Sequence, residues 1–337
     1  MIVRCYLLPV KLNFMKNSVY TVIFLAGLSV GCNSKKEIIK PIPPAPPIVE
    51  TQDPPGAPPK TWKEHWFDHV QVVNRVYYDS NVAVYYDGDV KGTITWPFQY
   101  MAEAWDYTKK TYGNFGDDGR LFVIYHAGKY GGGHPSTYMD ASHDYRNVTD
   151  CGSGDFNAWM SGKENDIDIS THEIGHIVEG AVKGVKGSPA WDIWHDSKWM
   201  EIYQYDVYLG LNRPDDAKRW YNLMINTTDT YPRAGTKWFK DWFFPIYDQF
   251  GKTRVLNAFF TKLAEHFPKH QIVVNGKQYM EYDRRMNFGE FVHFWSGAAG
   301  ANLENQAMIA FGDKDEKGND WKAQLVKAKI DFPGITY

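Results

Sequence analysis

A mostly apolar run spans residues 19–30 (VYTVIFLAGLSV), and residues 41–59 then hold nine of the chain's 18 prolines. Only after Lys60 does a pattern suited to a folded domain begin. The run Val82–Tyr86 (VAVYY) predicts a strand closed by Asp87-Gly88. Pro97 opens FQYMAEAWDYTKKTY, whose apolar spacing and following Gly113 predict a helix. Residues 121–125 (LFVIY) form a second β-prone run, ahead of Gly131-Gly132-Gly133. Residues 134–162 are rich in Asp, Asn, Ser, Gly and His and read as a long ordered loop. A helix is expected over 167–182, ended by Lys183-Gly184, and another from Asp196-Ser197 through Tyr208 to Gly210. Helical spacing returns at 238–250, 253–267, Phe288–Ala299 and 321–329. Strands first and helices after predict an α+β fold with a small mixed or antiparallel sheet and a mostly helical C-terminal part.

The segment ahead of the domain has its own logic. Lys16 precedes the apolar run, which has the length of a signal h-region and is short for a membrane span. Met15-Lys16 makes a more ordinary charged start than Met1. Small residues then lead to Cys32 in Leu28-Ser29-Val30-Gly31-Cys32, which resembles the lipobox of bacterial lipoproteins, with Ser29 where an aliphatic residue is usual. That resemblance implies cleavage before Cys32, a lipid anchor on its thiol, and a place in the cell envelope. The bland alternative is a plain secretory signal. A proline stretch cannot donate the bonds of helix or sheet, so 41–59 reads as an extended spacer. The expected division is therefore a leader over 1–31, a lipidated tether over 32–59 and one domain over 60–337.

Charge and composition exclude several classes. The 37 Lys+Arg and 40 Asp+Glu give −3, and residues 1–31 contain Arg4, Lys11, Lys16 and no acid, leaving 34 against 40, or −6, for the rest. No basic cluster suggests nucleic acid. Three cysteines at 5, 32 and 151 make no disulfide framework, and Cys151 reads as a free thiol. Thirteen Trp, 22 Tyr and 19 Phe are in excess. They fill a core or, on the alternative reading, offer surfaces on which sugars stack.

The chemistry concentrates in Thr171-His172-Glu173-Ile174-Gly175-His176. Positions i and i+4 share one helix face, so His172 and His176 can present two imidazoles to one Zn²⁺, with Glu173 beside them. The frame of Ile167, Ile169, Ile174, Ile177 and Val178 predicts that this helix is at least half buried. Buried histidines and a carboxylate need partners, and a metal supplies them. Downstream lie His195, Asp196 and Glu201.

These residues resemble the zincin metallopeptidases, and among them the thermolysin-like gluzincins. The resemblance covers about 121–210, and only the His-Glu-x-x-His motif is specific. It implies a zinc peptidase in which a metal-activated water attacks the peptide bond and Glu173 is the general base. It also implies a third ligand on the next helix. Glu201 ranks first, 25 positions after His176, with His195 and Asp196 as alternates. Residues 121–126 could be the edge strand that binds extended peptide along a zincin cleft, or an ordinary sheet strand. Candidates to meet the oxyanion are Tyr205, Tyr203, His195 and His293, and Asp206, Asp196 and Glu179 could orient the imidazoles. The loops 126–162 and 211–236 are expected to shape the cleft. The expected partner is a peptide or glycoprotein substrate outside the cytoplasm. The competing reading is a non-catalytic surface lipoprotein that binds glycan or protein, with a structural or vestigial metal site and Trp191, Trp194 and Trp199 as stacking faces.

Overall fold

The two β-prone runs lie side by side as parallel strands in the computed structural model, which describes residues 53–337 apart from Ser197. The leader, Cys32 and most of the proline tether fall outside the described residues. In chain order the elements are β1 (Thr61–Lys63), β2 (Val72–Tyr78), β3 (Val82–Tyr86), α1 (Trp96–Tyr112), β4 (Leu121–Ala127), β5 (Lys129–Ser136) and β6 (Asn147–Ser153). There follow α2 (Asn165–Ala181), β7 (Val185–Lys186), α3 (Trp191–Trp194), α4 (Lys198–Gly210) and α5 (Pro214–Met224). A π-helical turn at Phe239–Phe243 leads into α6 (Phe244–Gln249) and α7 (Thr253–His266). The chain ends with β8 (Lys269–Val274), β9 (Lys277–Tyr282), α8 (Phe288–Ala299), α9 (Glu304–Phe311) and α10 (Trp321–Asp331). None of the helices among the described residues is long and apolar enough to cross a membrane.

The main sheet has the order β1-β2-β3-β4-β6-β5. Strands β3, β4 and β6 are parallel, and antiparallel strands flank them, with β5 antiparallel to β6 at one edge. A smaller sheet runs β7-β9-β8. The mixed sheet followed by helices agrees with an α+β fold. Of the two readings of residues 121–126, the ordinary sheet strand holds: β4 is buried along its whole length between β3 and β6, as its continuous apolar run requires. The long loop expected over 134–162 does not hold, since it contains β6 and the end of β5. One edge of the sheet is β5, which spans the glycine-rich segment. Its sequence KYGGGHPS has little β propensity, and pairing with β6 overrides that. Its Pro135 is tolerated because an edge strand need not donate on both sides.

Side-chain alternation splits the sheet between two cores. Leu121, Val123, Tyr125 and Cys151 face the large helical core, while Phe122, Ile124 and Val148 face a smaller one with Trp62, Trp66 and Tyr85. The aromatic excess is mostly core. Trp105, Trp159, Trp194, Trp199, Trp238, Trp242, Trp295 and Trp321 are fully buried, and each such side chain contributes roughly 3 kcal/mol or more of transfer free energy.

Helix α2 packs on β5, β6, α1 and α4. Asp166 and Asp168 in its first turn suit the positive end of the helix dipole. Gly175 lets α4 come close, since a Cβ there would lie 3.0 Å from Tyr203 and 3.3 Å from Met200. Asp168 also takes a bidentate pair from Arg219 of α5 at 2.6 and 2.8 Å. The motif helix is thus held on a rigid frame.

Candidate metal centre

His172 and His176 stand one turn apart on α2, with their Nε2 atoms 3.1 Å apart. Asp196 Oδ1 lies 3.5 Å from His176 Nε2. One atom from each of the three residues falls within 4.8 Å of the others. Two tetrahedral ligands at 2.0–2.1 Å from zinc stand about 3.3 Å apart, so the histidine spacing suits a shared ion. Burial, with the charges of His176 and Lys198, pulls His172 well below its ordinary value and favours the neutral imidazole a metal needs. Two nitrogens and one oxygen from these residues could hold a metal ion.

Asp196 follows an uncommon backbone conformation. The short helix α3 ends at His195, a non-glycine residue with φ of 50°. That positive-φ residue stands between α3 and α4, directly before Asp196. The neighbouring carboxylate of Glu179 orients the histidine, with Oε2 3.3 Å from His176 Nδ1. Its Oε1 accepts hydrogen bonds from Ser188 and, at 2.6 Å, from the Trp194 indole. An outer carboxylate of this kind fixes the ring and directs Nε2 inward. Burial pulls His176 down, but the Glu179 hydrogen bond and the charges of Glu173, Glu179 and Asp196 outweigh it and leave the ring above its ordinary value.

Glu173 is buried, and its Oε2 has no hydrogen-bond partner among the described residues. Burial raises its carboxyl to about 7, with Asp196 and Asp150 adding and His176 opposing. The side chain lies over Gly133 of β5, where a Cβ would sit 2.0 Å from Oε1. Glycine at that point is therefore a requirement of close approach. Gly133→Ala is expected to displace the carboxylate, and on the peptidase reading proposed below to lower turnover about 10²-fold, because an ångström of misplacement at a reacting group has that order of effect. Zinc content should not change. A variant with wild-type turnover would remove Gly133 from the site.

The other expected residues lie elsewhere. Glu201 is not in the group of ligand atoms that converges on the histidines: Lys198, one turn earlier on α4, holds its Oε1 at 2.5 Å and also pairs with Asp229 at 2.8 Å. Burial raises Glu201 to about 7, with Lys198 opposing. His195 points away to Glu316, 2.9 Å distant, and its ring meets Tyr231. Tyr205 sits in a cluster with Tyr221, Phe239, Phe244 and Tyr247. Tyr203 bonds to Thr108 at 2.6 Å. His293 ties down the C-terminus through Tyr337 at 3.0 Å and Phe332 at 3.2 Å. Asp206 accepts from Tyr107, Tyr247 and Thr253 at 2.9, 2.8 and 2.6 Å, inside the helical layer. Of the three nearby tryptophans, Trp194 and Trp199 are core, with Trp194 reaching the site through its indole N–H to Glu179, and half-buried Trp191 lies 6.0 Å from the His176 ring. Cys151 is buried with its thiol raised by burial, so it is no nucleophile.

A second group can also hold a metal ion: Glu64, His69, His126 and Asp150, all buried. Sequence reasoning passed over it, although the run Glu64-His65-Trp66-Phe67-Asp68-His69 and a histidine closing the apolar strand LFVIYH were available signals. No protein-family model matches the chain, and no curated protein matches it.

Proposed function

We propose that this protein is a zinc-dependent peptidase of the zincin type, acting on protein or glycoprotein outside the cytoplasm and held to a membrane through a lipid on Cys32. The observation that carries the reading is the convergence of His172, His176 and Asp196 beside a buried carboxylate with one oxygen free of protein partners. His172 and His176 would hold the ion through Nε2 and Asp196 through Oδ1. When bound, zinc supplies a Lewis acid that polarises the scissile carbonyl and acidifies water. Glu173 takes the proton of the attacking water and delivers it to the leaving nitrogen. Glu179 keeps the His176 ring aligned throughout.

Strand β5 gives the substrate a place to lie. It is paired on one side by β6, and its Gly131-Gly132-Gly133 stretch has little side-chain bulk to keep an extended chain away. A peptide added to that edge by backbone pairing would pass over Gly133 and meet Glu173. Trp194 and Trp199, offered as stacking faces on the glycan-binding alternative, are buried and cannot serve it.

The test is a peptide-library digest with the purified protein, the chelated protein and the chelated protein resupplied with zinc. Cleavage that disappears on chelation and returns with zinc supports the reading. No cleavage by zinc-loaded, folded protein overturns it.

A further inference from the structure

We propose that Glu64, His69, His126 and Asp150 form a second, closed zinc site of structural purpose, which clamps the segment between β1 and β2 onto the ends of β4 and β6 beneath the edge strand β5.

The four side chains come from three separate stretches of chain, and each is no more than 1% exposed. His126 Nε2 lies 2.8 Å from Glu64 Oε1 and 3.1 Å from Asp150 Oδ1, and His69 Nδ1 lies 2.9 Å from Asp150 Oδ2. Yet Glu64 Oε1, His69 Nδ1, His126 Nε2 and Asp150 Oδ1 each lack a properly aligned hydrogen bond among the described residues. Their contacts with one another are ion pairs without aligned hydrogen bonds, and four potential ligand atoms converging in a buried site point to a common partner.

The outer atoms are anchored, which makes the inward ones look directed. Glu64 Oε2 accepts from the Gln71 backbone N–H at 3.0 Å, and Asp150 Oδ2 from the Trp66 indole at 2.8 Å. His126 Nδ1 faces Asp87 Oδ2 at 3.1 Å, and the other oxygen of Asp87 accepts from the N–H groups of Asp89 and Val90 at 2.8 and 3.0 Å. This is a carboxylate–histidine arrangement that turns Nε2 toward a metal. Lys129 pairs with Asp87 and balances its charge. Without an ion, burial lowers His126, but Asp150, Asp87 and Glu64 outweigh it and hold the ring at about 11. A divalent cation would displace that proton, and two carboxylates, two then-neutral imidazoles and the cation sum to zero, which suits a site without solvent. Four protein ligands with no open position describe a structural rather than a catalytic site, and the two imidazoles favour zinc over calcium or magnesium.

Its location explains its purpose. His134 of β5 is in register with Asp150, and Tyr130 of β5 stacks on His69 with ring centroids 3.7 Å apart. One residue along, Gly133 is in register with Cys151 on the opposite face, where Glu173 lies over it. The clamp therefore braces, from behind, the strand that the proposed peptidase reading places beside the substrate. The site itself does not depend on that reading.

Metal analysis of the full chain separates the two groups. His172→Ala/His176→Ala leaves the second group untouched, so the folded variant should retain one equivalent of zinc and lose Tm on chelation. Cobalt in that variant should give the strong visible bands of a tetrahedral site. His126→Ala in the same background should remove the metal. Should that variant not fold, Asp87→Asn is expected to weaken affinity about 10–100-fold, as loss of an outer carboxylate does. Folded His172→Ala/His176→Ala without stoichiometric metal, or with cobalt bound only in an octahedral environment, overturns the proposal in favour of a metal-free imidazolium–carboxylate network. If instead the motif histidines bind nothing, the wild type carries a single equivalent that His126→Ala abolishes, and only the peptidase reading fails.

Discussion

Glu173→Gln is expected to lower peptide hydrolysis by about 10²–10⁴-fold while zinc stays bound, because the amide keeps the shape of the side chain and cannot accept a proton. That loss corresponds to about 3–5 kcal/mol of transition-state stabilisation. The buried carboxylate lies over Gly133, so a residue of the same size is needed to leave the contact intact. Glutamine meets that condition and alanine does not. The ligands His172, His176 and Asp196 are unchanged, so zinc stoichiometry and Tm should match the wild type. The drop should appear in kcat more than in KM, since the proton is moved in the transition state and not on binding. Proteolysis at the wild-type rate by folded, zinc-loaded Glu173→Gln would exclude the carboxylate from the chemistry. Loss of zinc along with activity would instead point to a structural role for Glu173.

What could be read in advance follows the range of the interaction. The His172–His176 pair depends only on helix periodicity, so spacing alone placed both imidazoles together. Glu179 was within reach for the same reason, three residues along the same helix. Asp196 was one of three candidates because its position follows a positive φ at His195, which is uncommon for any single non-glycine residue and so not legible from the sequence. The strand β5 was hidden because Gly131 to Gly133 carry no β signal, and its partner β6 lies in a polar stretch. The Glu64–His69–His126–Asp150 group was hidden for a topological reason. Its members meet only after β4 and β6 pair and the segment between β1 and β2 folds across them. The C-terminal helices were legible because apolar and aromatic residues recur at helical spacing, as in the almost wholly buried α8.

Asp196→Ala and Glu201→Gln should part company in a single pair of measurements. Asp196 offers the third ligand atom, so its removal leaves two imidazoles and is expected to weaken zinc binding by about 10²-fold or more, with activity lost at limiting metal. Asp196 is partly exposed, with 29% of its side chain accessible, so little stability depends on it. Glu201 predicts the reverse. Its carboxylate is committed to buried Lys198, and breaking a buried pair by removing one partner ordinarily destabilises by about 3–5 kcal/mol. Asp229 still holds Lys198 at 2.8 Å, so the loss from Glu201→Gln should fall below that range, at about 1–3 kcal/mol. It should appear as a lower Tm with full zinc occupancy and near-normal kcat. The opposite pattern, with zinc lost from folded Glu201→Gln and kept by Asp196→Ala, would restore the thermolysin-like ligand set. It would also require Glu201 to leave Lys198 when the ion binds, uncovering a buried ammonium with only Asp229 beside it. That rearrangement is costly enough to make Asp196 the better third ligand on energetic grounds as well as on distance.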